Sequence, residues 1–237
     1  MYTAGPESGK AVILLHEVDG VREPVIELMD CLADAGFRVY MPVFFETSWL
    51  PDTPAAVAGL VRVCISREFH VLATGGNSPA ASWVRSLAQH VAQDGQQLGV
   101  VGMCLTGGLA LAAIAESSVG AAVAAQPAMP WANGPWPLGS APRRRDLGLS
   151  TEEEAAVRNG TTPILALRFD RDRKSPRERV LTIGELETGC AVWITDDGKS
   201  PPPHATLTAA FRKGEPDVRR ASRGAIQQVI EFLDANL

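Results

Sequence analysis

The run Leu98-Gly-Val-Val-Gly-Met-Cys-Leu-Thr-Gly-Gly108 carries three signals within eleven positions of the chain. Its opening residues, through Gly102, are short, continuous and apolar, as a strand buried on both faces of a parallel sheet reads. From Leu105 to Ala115 the composition turns rich in Ala and Leu, which is helical. Between the two, Cys104 has room for one tight corner only. Strand, corner and helix are the context of a nucleophile elbow, where a strained backbone presents the reacting side chain and the close strand–helix approach demands small neighbours. Gly102, Gly107 and Gly108 meet that demand. A cysteine in this corner also sits at a helix N-terminus, where unpaired N–H groups and the helix dipole favour thiolate over thiol. The competing account is a buried thiol that fills space beside a glycine-rich contact.

Working outward, the same alternation recurs. Ala11-Val-Ile-Leu-Leu15 is another buried strand, Pro24 to Ala35 has helical spacing with Gly36 as its stop, and Arg38 to Val43 is the next strand. That is a βαβ unit. Trp49, Pro51 and Pro54 mark a loop before a helix over 55–68, and Ser78 caps a helix that opens on Pro79. Val119 to Gln126, Pro163 to Phe169 and Cys190 to Thr195 are further strands, Ser150 and Glu153 form a capping box, and Asp217 to Ala235 is an amphipathic final helix. Residues 127–150 hold five prolines, three glycines and two tryptophans, the composition of a long ordered loop or cap. The expectation is one α/β domain over residues 1–237, with a mostly parallel central sheet flanked by helices on both faces.

Bulk properties narrow the function. With 237 residues and a formal charge of -5, the chain has the length for a large core and lacks the basic surface that nucleic acid requires. The run Arg143, Arg144, Arg145 reads as a solvated loop. The polar Met1 to Lys10 segment and the absence of a long apolar stretch predict a cytoplasmic protein without a membrane span. Four scattered cysteines form neither a zinc motif nor a disulfide framework, so no metal or organic cofactor is expected.

In this fold a base follows the nucleophile on a later loop, with the acid between them. Of the four histidines only His204 lies downstream of Cys104, in a loop after the strand Cys190 to Thr195. The acid belongs just past the strand that ends at Phe169, where Asp170 and Asp172 both qualify; Asp172 leads and Asp170 is the alternative. At the end of the first strand, His16-Glu17-Val18-Asp19-Gly20 occupies the place from which a backbone N–H completes an oxyanion hole, assigned here to Val18 with Leu105 as its partner. Glu17 either faces the thiol or is a surface carboxylate.

With these residues assembled, the chain resembles the dienelactone hydrolase family over nearly its full length. Gly102-Met-Cys104-Leu-Thr-Gly-Gly108 looks like the family's cysteine elbow, and His16-Glu17-Val18-Asp19-Gly20 like its strand-end segment with a glutamate that contacts the thiol. Leu149 to Glu154 and Asp172-Arg-Lys-Ser-Pro176 follow the family's approach to a catalytic aspartate four residues before a proline, which ranks Asp172 above Asp170. The resemblance implies a Cys104, His204, Asp172 triad, with Glu17 restraining the cysteine until substrate arrives. It also implies hydrolysis of a small ester or lactone through an acyl-thioester.

Three positions depart from the family pattern. Thr106 stands where glycine is usual, Pro201-Pro-Pro-His204 replaces a glycine-led approach, and Thr208 occupies the place of an arginine that binds the substrate carboxylate. The last departure weighs against an acidic dienelactone, because a carboxylate buried without a cation is costly. Arg67 and the Arg143 to Arg145 run are the possible substitutes, and Trp131 and Trp136 are candidates to line the pocket or to anchor the loop. The rival readings are a cysteine thioesterase or peptidase on the same fold, and a non-catalytic redox-sensing or binding protein that uses Cys104. A monomer or weak homodimer acting on a small molecule is expected.

Overall fold

The computed structural model describes residues 1–44, 78–92, 95–132, 139–195 and 203–237. Strands β1 (Tyr2–Ala4), β2 (Ala11–Leu15), β3 (Arg38–Met41), β4 (Leu98–Met103), β5 (Val119–Ala125), β6 (Ile164–Phe169) and β7 (Gly189–Ile194) build a seven-stranded sheet in the order β1-β3-β2-β4-β5-β6-β7. Every pairing is parallel except β1 with β3. Helices α1 (Glu23–Asp34), α2 (Pro79–Val91), α3 (Gly107–Ala112), α4 (Ala141–Arg145), α5 (Thr151–Asn159), α6 (Arg177–Gly184) and α7 (Pro216–Asn236) accompany it.

The central strands are apolar at every position because both of their faces are covered. Alternate residues feed two separate cores. Ile13, Leu15, Val100, Ala122 and Ala166 pack with α2, α3, α5 and α6. Val12, Leu14, Val101, Val123 and Leu167 pack with α1 and α7, whose Leu28, Leu32, Val229 and Leu233 are buried. Each such large aliphatic side chain contributes about 1.5–3 kcal/mol by leaving water. A small-residue strand, Val-Gly-Ala-Ala-Val-Ala-Ala in β5, lets α3 approach the sheet centre, where the elbow sits.

Most expected elements appear within a residue or two of their predicted bounds. Ser78 caps α2 by accepting from the Ala81 N–H, and Ser150 and Glu153 complete the capping box of α5. Two differences stand out. The expected loop or cap over 127–150 contains the short helix α4, and the helix expected from Leu105 to Ala115 is broken into a 3-10 turn (Cys104–Thr106), α3 and a second 3-10 turn (Ala113–Ala115). The break follows from the corner, which tightens the first turn before helical geometry is regained. The helix expected over 55–68 lies outside the described residues.

Candidate active site

Cys104 has φ 55, in the left-handed region that a side chain rarely occupies. The corner imposes it. β4 runs into the 3-10 turn so closely that a Cβ on Gly102 would lie 2.2 Å from the Thr106 carbonyl oxygen, and one on Gly107 would lie 3.0 Å from Pro127. Thr106, which stands where the family pattern has glycine, fastens the elbow. Its fully buried hydroxyl accepts from the Met103 N–H at 2.9 Å and faces the carbonyl oxygens of Leu15 and His16 at 3.1 and 3.2 Å. The Cys104 corner is thereby tied to the end of β2, which leads into Glu17 and Val18. From the other side, the Ala128 N–H donates to the Cys104 carbonyl at 3.0 Å.

Past β6, Asp170 is exposed and Asp172 is buried. One oxygen of Asp172 accepts from the backbone N–H groups of Lys174 and Ser175 at 2.8 and 3.3 Å. The other lies 2.7 Å from His204 Nδ1. Of the two candidate aspartates, Asp172 is the one brought to the histidine. Burial disfavours a charged imidazole, but the hydrogen bond to Asp172 and the proximity of Cys104 outweigh it and push His204 up to about 10. Cys104 raises it as a side-chain hydrogen-bond partner of the imidazole and by its proximity, although the buried Nε2 lies outside strict hydrogen-bond geometry. Long or poorly aligned contacts are common in sites without substrate.

Glu17 is buried, but its partners differ from the expected one. Gln126 Nε2 donates to Glu17 Oε1 at 2.8 Å, while the Thr208 hydroxyl and Arg212 donate to Oε2 at 2.9 and 2.5 Å. The thiol is not one of these donors. Arg212 explains the difference, since a guanidinium is a far better partner for a carboxylate than a neutral S–H. It also pairs with Asp19 at 3.0 Å and bonds the Thr208 hydroxyl at 3.2 Å. Arg212 and Gln126 were missed in the sequence, although Arg212 follows Thr208 by four residues, the spacing at which one helical turn restores a side chain to the same face.

His16 is a structural member of this rim. The Phe44 N–H donates to its Nε2 at 3.0 Å, so Nδ1 carries the proton that meets the Glu17 carbonyl oxygen at 2.7 Å. Burial lowers its pKa, in keeping with that neutral form. The two oxyanion candidates follow the ends of neighbouring strands: Leu105 comes directly after Cys104 in the 3-10 turn beyond β4 and is buried, and Val18 is three residues past β2, whose Leu15 pairs with Gly102.

The substrate-lining candidates are less closely held. Trp131 is 38% exposed and its carbonyl oxygen accepts from Arg143 at 3.3 Å, while Trp136 and Arg67 lie outside the described residues. Arg143, Arg144 and Arg145, expected in a solvated loop, lie instead in helix α4 and pair with Asp146, Glu178 and Glu185 respectively. Beneath them Arg179, fully buried, donates to the carbonyl oxygens of Pro127, Pro130, Arg143 and Asp146 and so gathers the cap segment at both ends. Burial pulls its guanidinium down to about 9. Among the described residues no group of three or more His, Cys, Asp or Glu side chains could hold a metal ion, and no described helix is long and apolar enough to cross a membrane.

The sequence profile of the dienelactone hydrolase family matches residues 1–188. The chain belongs to that family. Membership makes it a carboxylic ester hydrolase of the α/β-hydrolase superfamily. The matched residues include Glu17, Cys104 and Asp172 and end before His204, which the fold supplies. Among solved structures, a provisional dienelactone hydrolase of Klebsiella pneumoniae superposes with a TM-score of 0.64 at 20% identity, covering 98% of this chain and 91% of that one. A Paleococcus ferrophilus monoacylglycerol lipase gives 0.58 at 15%, covering 98% of both chains. A Pyrobaculum calidifontis esterase gives 0.55 at 18%, covering 98% of this chain and 79% of its own. At these identities the likeness establishes the fold. A search of curated proteins finds no significant match.

Proposed function

We propose that this dienelactone hydrolase relative cleaves a small ester or lactone with Cys104 as nucleophile, His204 as base and Asp172 as the group that orients the imidazole. The supporting observation is the 2.7 Å contact between Asp172 and His204 Nδ1, with Cys104 close enough to His204 to raise its proton affinity. In the first half-reaction the Cys104 sulfur, its proton passed to His204, attacks the acyl carbon. The tetrahedral oxyanion is held by the backbone N–H groups of Val18 and Leu105. Collapse breaks the carbon–oxygen bond, and the imidazolium gives its proton to the departing alkoxide. In the second half, His204 takes a proton from water, the resulting hydroxide attacks the thioester, and the sulfur leaves to recover its proton. The chain acts as one domain, and the reaction draws on no metal or organic cofactor.

The substrate is read as one without a carboxylate. Thr208 stands where dienelactone-cleaving relatives place an arginine, and the nearby Arg212 is already committed to Glu17 and Asp19. Steady-state hydrolysis of p-nitrophenyl esters of rising chain length, neutral lactones, dienelactone and acyl-CoA tests both parts. Turnover of neutral esters or lactones that Cys104→Ala abolishes supports the assignment. Selective turnover of dienelactone would overturn the substrate class, and activity that survives Cys104→Ala would overturn the nucleophile.

A further inference from the structure

Gln126 has features that packing alone does not require. It follows seven small apolar residues of β5, is fully buried, and has φ 38, one of two non-glycine residues with positive φ among the described residues; the other is Cys104. A side chain held in that region is strained and persists only where surrounding interactions fix it. Here they do. The Gln126 N–H donates to the Leu167 carbonyl oxygen at 2.6 Å, its Oε1 accepts from the Thr206 N–H at 3.2 Å, and its Nε2 donates to Glu17 Oε1 at 2.8 Å.

Those partners lie on two different sides of the site. Thr206 is two residues beyond His204, and Glu17 precedes the oxyanion candidate Val18. Two residues after Gln126, the Ala128 N–H holds the Cys104 carbonyl. The junction also selects the residue type: a backbone N–H requires an acceptor and a carboxylate requires a donor. Among uncharged side chains of this length, the primary amide provides both from one rigid plane.

We infer that Gln126 is a positioning residue for the hydrolytic reaction, its amide clamping the Glu17 carboxylate and the His204 loop at a fixed separation so that Glu17 stays off the Cys104–His204 pair. Loss of the clamp releases one oxygen of Glu17 to compete for the proton that His204 and Cys104 exchange. Gln126 acts through Glu17 and Thr206 and touches no reacting atom.

The inference rests on the Cys104 mechanism, and a double-mutant cycle separates the two. Gln126→Leu keeps the volume and removes both side-chain bonds. It should lower kcat roughly tenfold or more in the native background and roughly threefold or less in a Glu17→Ala background, the non-additivity expected of groups that act through one contact. KM should change little. Equal factors in both backgrounds would reduce Gln126 to a packing role and overturn the inference, whereas activity in Cys104→Ala would overturn the mechanism beneath it.

Should Gln126→Leu fail to fold, Gln126→Glu retains the shape. Its acid form can donate to Glu17 and its carboxylate cannot. The charged and titratable groups nearby are Glu17, Asp19, Arg212, Asp172, His204 and Cys104, with Arg179 on the Pro127 carbonyl and Arg168 beside Leu167. They are common to both proteins, so the ratio of variant to native kcat isolates position 126. That ratio should rise as pH falls; a ratio independent of pH would overturn the inference as well.

Discussion

Two buried carboxylates flank the candidate nucleophile, and they are held in opposite ways. Asp172 receives two backbone N–H groups and one imidazole. Glu17 receives three side chains, from Gln126, Thr208 and Arg212. Backbone donors in a tight turn cannot be withdrawn without unfolding it, so Asp172 offers His204 a fixed acceptor. Side-chain donors can rotate or be exchanged, so the environment of Glu17 is adjustable. The orienting acid of a triad needs the first kind of support, and a group whose position tunes the site suits the second.

The largest effect should come from removing the fixed member. Asp172→Asn puts an amide where His204 Nδ1 needs an acceptor and reverses the favoured tautomer, so kcat should fall roughly 10³–10⁴-fold in ester hydrolysis. Asp170→Asn, at the exposed neighbour, should leave kcat within roughly twofold. Equal losses at the two positions would erase the distinction between them.

Arg212→Met attacks the adjustable member. It removes the cation from Glu17 and Asp19 while two neutral donors remain on Glu17. Stability should drop by about 1–2 kcal/mol in urea denaturation, less than a deeply buried pair would lose, because the Arg212 side chain is 38% exposed. The released carboxylate should lower kcat/KM roughly tenfold, and Glu17→Gln in the same chain should restore part of it.

The pH dependence of folding belongs to the fixed side. His204 rises to about 10 in the folded chain from the ordinary 6.5. A raised pKa means that the folded state binds the proton more tightly than the unfolded chain does. Its contribution to stability is therefore complete below about pH 6.5 and is lost as pH climbs through about 10. Thermal unfolding across that range should show the decline in native protein and a flatter profile in His204→Gln. A native profile as flat as that of the variant would contradict the raised value.

Thr208→Val is the smallest test. It deletes one of three bonds to Glu17, and a single hydrogen bond is worth about 1 kcal/mol, so a modest stability loss with kcat within roughly fivefold is expected.

The same contrast explains what the sequence made legible. Asp172 could be found because its support is local: a strand end, a turn and Pro176 all lie within a few residues. Cys104 was legible for a similar reason, since a strand, small residues and a helix start converge on one corner. Glu17 was placed correctly just past the end of β2, but its partners come from the residue after β5 and from the segment after His204, 109 to 195 positions away in the chain. No periodicity encodes contacts that distant. Gln126 looked like the last residue of a strand, and its left-handed backbone has no sequence signature. Thr106 read as a departure because residue type reports bulk, whereas its role depends on carbonyl oxygens contributed by β2.

The central claim is that the acyl group passes through sulfur on Cys104. Mass spectrometry of the protein acid-quenched during turnover of an activated p-nitrophenyl ester, followed by peptide mapping, tests it directly. The account predicts a thioester-linked acyl group on the peptide that carries Cys104, absent from Cys104→Ala. Turnover with the acyl group found instead on Cys31, Cys64, Cys190 or a hydroxyl side chain would contradict it.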